Sequence, residues 1–171
     1  SSVVLEANDT VIAEDPGYVR SQQVLEFQSR QVVPVPLDAQ GLDIRLALRR
    51  APQARAALVS AVKQFPAGIT MSQERREALL RWAASGNRWI FEDDSHNVPW
   101  LSEEAAQPLR AMPMGAQAVF YMESLSFQIF PGICTGFIVA PEGFQAALAG
   151  ARMMTDRFQS EYELQLSIYA Q

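Results

Sequence analysis

A single cysteine, Cys134, stands among the 171 residues. One thiol excludes an intramolecular disulfide and any multi-cysteine metal site, and it fits a reducing compartment. Positive charge is scarce as well: 14 Lys and Arg are set against 19 Asp and Glu, for a formal net charge of −5 and a pI near 4.9. Contact with nucleic-acid phosphates needs a basic stripe, so direct nucleic-acid contact from this segment is not expected. No apolar run approaches the ~20 residues of a membrane-spanning helix, so no membrane partner is expected. The opening stretch SSVVLEANDT has neither a basic n-region nor a long apolar core and does not read as a signal peptide. It resembles the tail of a helix. Internal repeats, low-complexity stretches and linkers are missing too, which leaves one domain spanning residues 1–171.

What is present is a chain with 49% apolar and 19% charged residues, the composition of a globular domain with a sizeable core. Short apolar runs recur, separated mostly by helical patterns. TVIAE (10–14) reads as a strand stopped by Asp15-Pro16-Gly17, and YVRSQQVLEFQS (18–29) as a helix with Val24, Leu25 and Phe27 apolar. The prolines of QVVPVPL (31–37) assign it to a sheet edge, because proline donates no ladder hydrogen bond. LDIRLALRR (42–50) reads as a short helix with basic residues in its last turn, which suits the helix dipole. AALVSAV (56–62) is a buried strand followed by the loop KQFPAG. SQERREALLRWAASG (72–86) is the clearest helix, with Ser72 as cap, Glu74 in the first turn and Gly86 at the end. RWIFED (88–93), AVFYM (118–122) and TGFIVA (135–140) are further strands, and 141–171 is largely helical from Pro141.

This alternation predicts an α/β fold, a mostly parallel mixed sheet flanked by helices. Only twelve residues, Glu123–Cys134, join the last two strands. That is too short for a crossover helix, so an antiparallel strand is expected there. Ligands in such sheets sit beyond the C-terminal strand ends, where Lys63–Gly68, Glu92–His96 and Ser124–Gly132 converge.

Four stretches carry a resemblance to a known family: DTVIAEDPGY, KQFPAGITMSQERREALLRWA, WIFEDD and SLSFQIFPGICTGFIVAP. They resemble, in order and without internal gaps, the large domain of type I aminotransferases. More narrowly, they resemble the aminotransferase-like domain of MocR/GabR-type transcriptional regulators. The resemblance covers nearly the whole chain. It implies that the family's first strand, with its Gly-Ser-Gln turn, the small C-terminal domain and the DNA-binding winged helix lie outside these residues. It also implies a homodimer and a cytoplasmic location.

The resemblance further implies where pyridoxal phosphate binds in the family. That cofactor needs a lysine amine for its imine and a carboxylate to keep its ring nitrogen protonated. Here the lysine position holds Phe127, the phosphate-arginine position Cys134 and the ring-oxygen tyrosine position Ser95. Lys63 replaces the histidine of the Gln-Phe-Pro loop. Asp93 stands at the ring-nitrogen position, Ser124 and Ser126 at the phosphate turn, and Tyr18 in the Asp-Pro-Gly-Tyr corner.

Each residue also has a plainer reading. Asp93 belongs to an acidic strand end, Glu92-Asp93-Asp94, either solvated or capping the next segment. Ser124 and Ser126 serve a turn as hydrogen-bonding groups. Lys63 and His96 are surface residues, Cys134 is a small buried hydrophobe, and Phe127 fills the place of a cofactor ring. No cofactor and no catalytic or metal-binding residue are therefore expected. The expectation is a non-catalytic effector or dimerisation domain of a MocR/GabR-type regulator. A small-molecule effector would bind non-covalently among Tyr18, Asp93, Ser124, Ser126 and Phe127. The alternative is a fragment of a pyridoxal-phosphate-dependent class I/II aminotransferase whose missing site residues lie outside the chain, and a purely structural interaction module is a third reading.

Overall fold

The structure is a computed structural model and describes residues 3–97, 106–129, 132 and 135–155. Its frame is a six-stranded sheet in the order β2-β1-β3-β4-β5-β6. The strands are β1 (Thr10–Asp15), β2 (Gln31–Pro36), β3 (Ala56–Val59), β4 (Trp89–Asp93), β5 (Val119–Ser124) and β6 (Gly136–Val139). Neighbours run parallel from β2 through β5, with Ile12 opposite Val33 on one side and Ala57 on the other. β6 alone is antiparallel, with Tyr121 opposite Val139, which bears out the reading of the short β5–β6 connection. β1 and β3 are central and near-continuously apolar, as strands covered on both faces must be. The proline-bearing β2 lies at the edge.

Side chains alternate across the sheet and form two cores. On one face Ile12, Ala57, Val59, Ile90 and Val119 pack against α2 (Ile44–Arg50) and α3 (Gln73–Ala84). On the other face Val11, Leu58, Phe91 and Phe120 meet Leu25 of α1 (Val19–Phe27), together with Phe144 and Leu148 beside and within α6 (Gln145–Thr155). Both interior helices start where the local chemistry dictates. The Asp43 carboxylate accepts from Arg45 N at 2.9 Å and the Ser72 hydroxyl from Arg75 N at 3.4 Å.

α3 buries two arginines, and each is paired. Arg75 meets the Asp38 carboxylate at 2.7 Å. Arg76 donates to Met71 O at 2.8 Å, to Ala61 O at 2.9 Å and to Gln107 O. These bonds fasten the helix to the loop after β3 and so fix one wall of the strand-end region.

Some expectations shift. β3 ends at Val59, three residues before the apolar run does. β5 continues through Ser124, because its ladder with β6 extends to Ser124 opposite Gly136. Only Leu25 of the apolar trio in α1 is buried, while Val24 and Phe27 are 55% and 91% exposed. A nine-residue helix resting on a sheet buries one narrow stripe. Three short elements went unread: a 3-10 turn at Leu109–Ala111, α4 (Gly115–Ala118) and α5 (Leu125–Gln128). Each is a single turn or less, too short for periodicity to reveal.

Candidate functional site

Beyond the C-terminal ends of β1, β3 and β4 lies a small polar cavity of about 10 Å³, lined by residues that include Glu14, Tyr18, Ser21, Ser60 and Asp93. That volume holds one water-sized group. Its wall is built from sequence-local features. β1 stops at Pro16-Gly17, and the chain there runs so close to itself that a Cβ on Gly17 would lie 2.5 Å from Glu14 O. The Gln22 amide crosses to Glu14 O at 2.9 Å. Buried Gln64 ties the opposite loop to this corner, donating to Pro16 O at 2.7 Å and Phe65 O at 2.8 Å and accepting from Ala67 N at 3.1 Å.

Two carboxyl groups share the cavity. Asp93, 8% exposed, accepts from the Ser21 hydroxyl at 3.2 Å and from Ser95 N at 3.1 Å. Glu14, 4% exposed, takes Ser60 N on Oε2 at 3.1 Å, and its Oε1 has no hydrogen-bond partner. Burial is the main cause that pushes the Glu14 carboxyl from 4.5 up to about 8, and the nearby Asp93 charge adds to it.

The acids closing β4 are all buried, so the solvated reading of Glu92-Asp93-Asp94 is corrected. Glu92 caps the 3-10 turn, accepting from Leu109 N at 2.7 Å and Arg110 N at 3.0 Å. Burial pushes its carboxyl up to about 7. Asp94 and Glu123 both meet the Tyr121 hydroxyl, at 2.8 and 2.9 Å. A phenol has one proton to give, so the two carboxyls compete for it. Burial also raises the pKa of Asp94.

Tyr18 and Asp93 line the same cavity. Ser124 and Ser126 stand apart from its lining, at the end of β5. Ser124 Oγ accepts from Ser126 N at 3.3 Å and caps the four-residue α5, which agrees with their reading as turn residues. The backbone of Phe127 lies in α5, its side chain lies outside the described residues, and so does Cys134. Lys63 is half-buried at the start of its loop. His96 is not a plain surface histidine. Its ring stacks on Phe65 at 4.4 Å and 10° and meets the Tyr18 ring edge-on at 5.0 Å. Burial lowers its pKa and keeps it neutral near pH 7. Glu14, Ser21, Gln64 and the Tyr121–Glu123 pair were missed as site residues. Glu14 stood in the quoted EDPGY stretch, where an acid ending an apolar strand was the available signal.

The fold is that of the large domain of fold type I aminotransferases. The kynurenine aminotransferase of Pyrococcus horikoshii superposes with a TM-score of 0.81 at 25% identity, over 91% of this chain and 40% of that one. Homologous proteins are MocR/GabR-type HTH regulators and aminotransferases. The HTH-type transcriptional regulator YdfD of Bacillus subtilis is 31% identical over 155 residues, 90% of this chain and 32% of the relative. The HTH-type transcriptional regulator TauR of Rhodobacter capsulatus is 30% identical over 152 residues, 89% and 31% respectively. The chain thus spans about a third of the length of these curated relatives. No family model matches it.

Within this aminotransferase-like frame the described residues do not fit pyridoxal phosphate. The space beside Asp93 holds one water-sized group, not a pyridine ring. Position 127 carries phenylalanine, and Lys63 is the sole lysine in the chain.

Proposed function

We propose that this chain is a non-catalytic, aminotransferase-like effector and dimerisation domain of a MocR/GabR-type transcription regulator, acting in the cytoplasm. The observation that carries the reading is the frame kept around a lost amine. The fold is that of fold type I aminotransferases, while Phe127 occupies the position that the resemblance gives to the imine lysine. The HTH-type relatives support the regulatory context. In this reading an effector binds without a covalent bond, and the domain pairs with a second copy.

A second reading has its own support, because aminotransferases are among both the relatives and the structural neighbours. In it the chain is part of a class I/II aminotransferase whose missing groups lie elsewhere. Assaying the protein and its Lys63→Ala variant for transamination separates the two. The proposed reading expects no turnover from either. Turnover that survives Lys63→Ala would show that another polypeptide segment supplies the amine, and the second reading would replace the first.

A further inference from the structure

The polar cavity at the strand ends has a neighbour. An apolar cavity of about 170 Å³ lies between α1 and the sheet, lined by Ser21, Val24, Leu25, Leu58, Phe91 and Met122. Ser21 and Leu58 line both cavities, which places the two side by side. The polar end presents two carboxyl groups, Glu14 and Asp93. Among the described residues, no ion pair includes either of them. Oε1 of Glu14 is buried and without a hydrogen-bond partner. The amide of Gln64 is close by, but its nitrogen is spent on Pro16 O and Phe65 O.

A buried polar atom left without a partner costs stability. Ionising both carboxyls in one small space without a cation is unfavourable. A positively charged hydrogen-bond donor would relieve both. A metal ion is a poorer match: no cluster of three or more His, Cys, Asp or Glu capable of holding one occurs among the described residues. The volume admits one water-sized head, and the adjoining apolar cavity admits a chain behind it.

We propose that this pair of cavities binds a small organic amine with an apolar tail, its ammonium head between Glu14 and Asp93 and its tail against Val24, Leu58 and Met122. This rests on the non-covalent effector reading above and names the chemical class of that effector. The ammonium donates to Oε1 of Glu14 and pairs with Asp93. The tail covers apolar surface that α1 leaves open.

The test is calorimetric titration of the protein with n-hexylamine, n-hexanol and hexanoate. The expected result is hexylamine binding at least tenfold tighter than hexanol, with hexanoate weakest. Glu14→Gln and Asp93→Asn should each weaken hexylamine at least fivefold, and Val24→Ser should weaken hexylamine but not methylamine. Should a carboxyl variant fail to fold, the three-ligand comparison on the unaltered protein decides alone. Equal affinity for hexylamine and hexanol, or no hexylamine binding at millimolar concentration, overturns the proposal. If hexylamine does not bind and pyridoxal phosphate gives no borohydride-reducible adduct, the ligand class alone is overturned. A reducible adduct that hexylamine does not displace overturns this site and the non-catalytic reading together.

Discussion

Arg76 and Glu14 are equally buried, each 4% exposed, and their surroundings treat them in opposite ways. Arg76 spreads its guanidinium over the carbonyls of Met71, Ala61 and Gln107. Every one of these bonds ties a loop to α3, and none of the three partners lines the strand-end cavity. Glu14 is held through one oxygen only, beside a second carboxyl and an open space. A buried charge whose hydrogen bonds are complete is an element of architecture. A buried carboxyl left incomplete, in a cavity, marks the place where the proposed ligand completes the structure.

Among single substitutions, breaking the satisfied side should cost most. Arg76→Met removes a charged donor from three carbonyls and should destabilise the fold by about 3 kcal/mol, read as a lower urea midpoint. A variant within 0.5 kcal/mol of the parent would mean that water replaces the guanidinium at no cost, and the contrast would fail.

The unsatisfied side should show itself through pH. The Glu14 and Glu92 carboxyls are raised in the folded protein from 4.5 to about 8 and about 7. The unfolded chain therefore releases these protons first. Their stabilising contribution is complete below pH 4.5 and is lost as pH rises through 7 and 8. The unfolding free energy read from urea titration should fall between pH 5 and pH 8 by roughly 6 kcal/mol, with a matching drop in the urea midpoint. Glu14→Gln should flatten that decline, and a midpoint that instead rises over this range would contradict the assignment of buried, protonated carboxyls.

The smallest effect sharpens the comparison at an ordinary position. Ser72→Ala removes the cap of α3 and should cost about 1 kcal/mol without altering the pH profile. A changed profile would tie α3 to the carboxyl cavity and blur the distinction between the two regions.

Much of the frame was legible because it rests on local chemistry. Ser72 announces its helix by capping, Pro34 and Pro36 announce an edge strand, and the short β5–β6 connection announces an antiparallel partner. The site was legible in part. Tyr18 and Asp93 were grouped only through the family resemblance, and both line one cavity. The state of the acids was not legible. Whether Glu92 is solvated or buried depends on the backbone of Leu109 and Arg110, seventeen and eighteen residues away. Likewise, His96 depends on Phe65 across the sheet edge. Local patterns report which residues a strand end holds, whereas burial and pairing depend on which distant loop closes over it.

The most direct test of the central claim uses the chain's single lysine. The protein is incubated with pyridoxal phosphate, reduced with borohydride and mapped by mass spectrometry. The account predicts no absorbance shift from an imine and no reduced adduct at Lys63. A stoichiometric adduct at Lys63 would contradict it, because the fold would then hold its cofactor through a different amine and the aminotransferase reading would stand in its place.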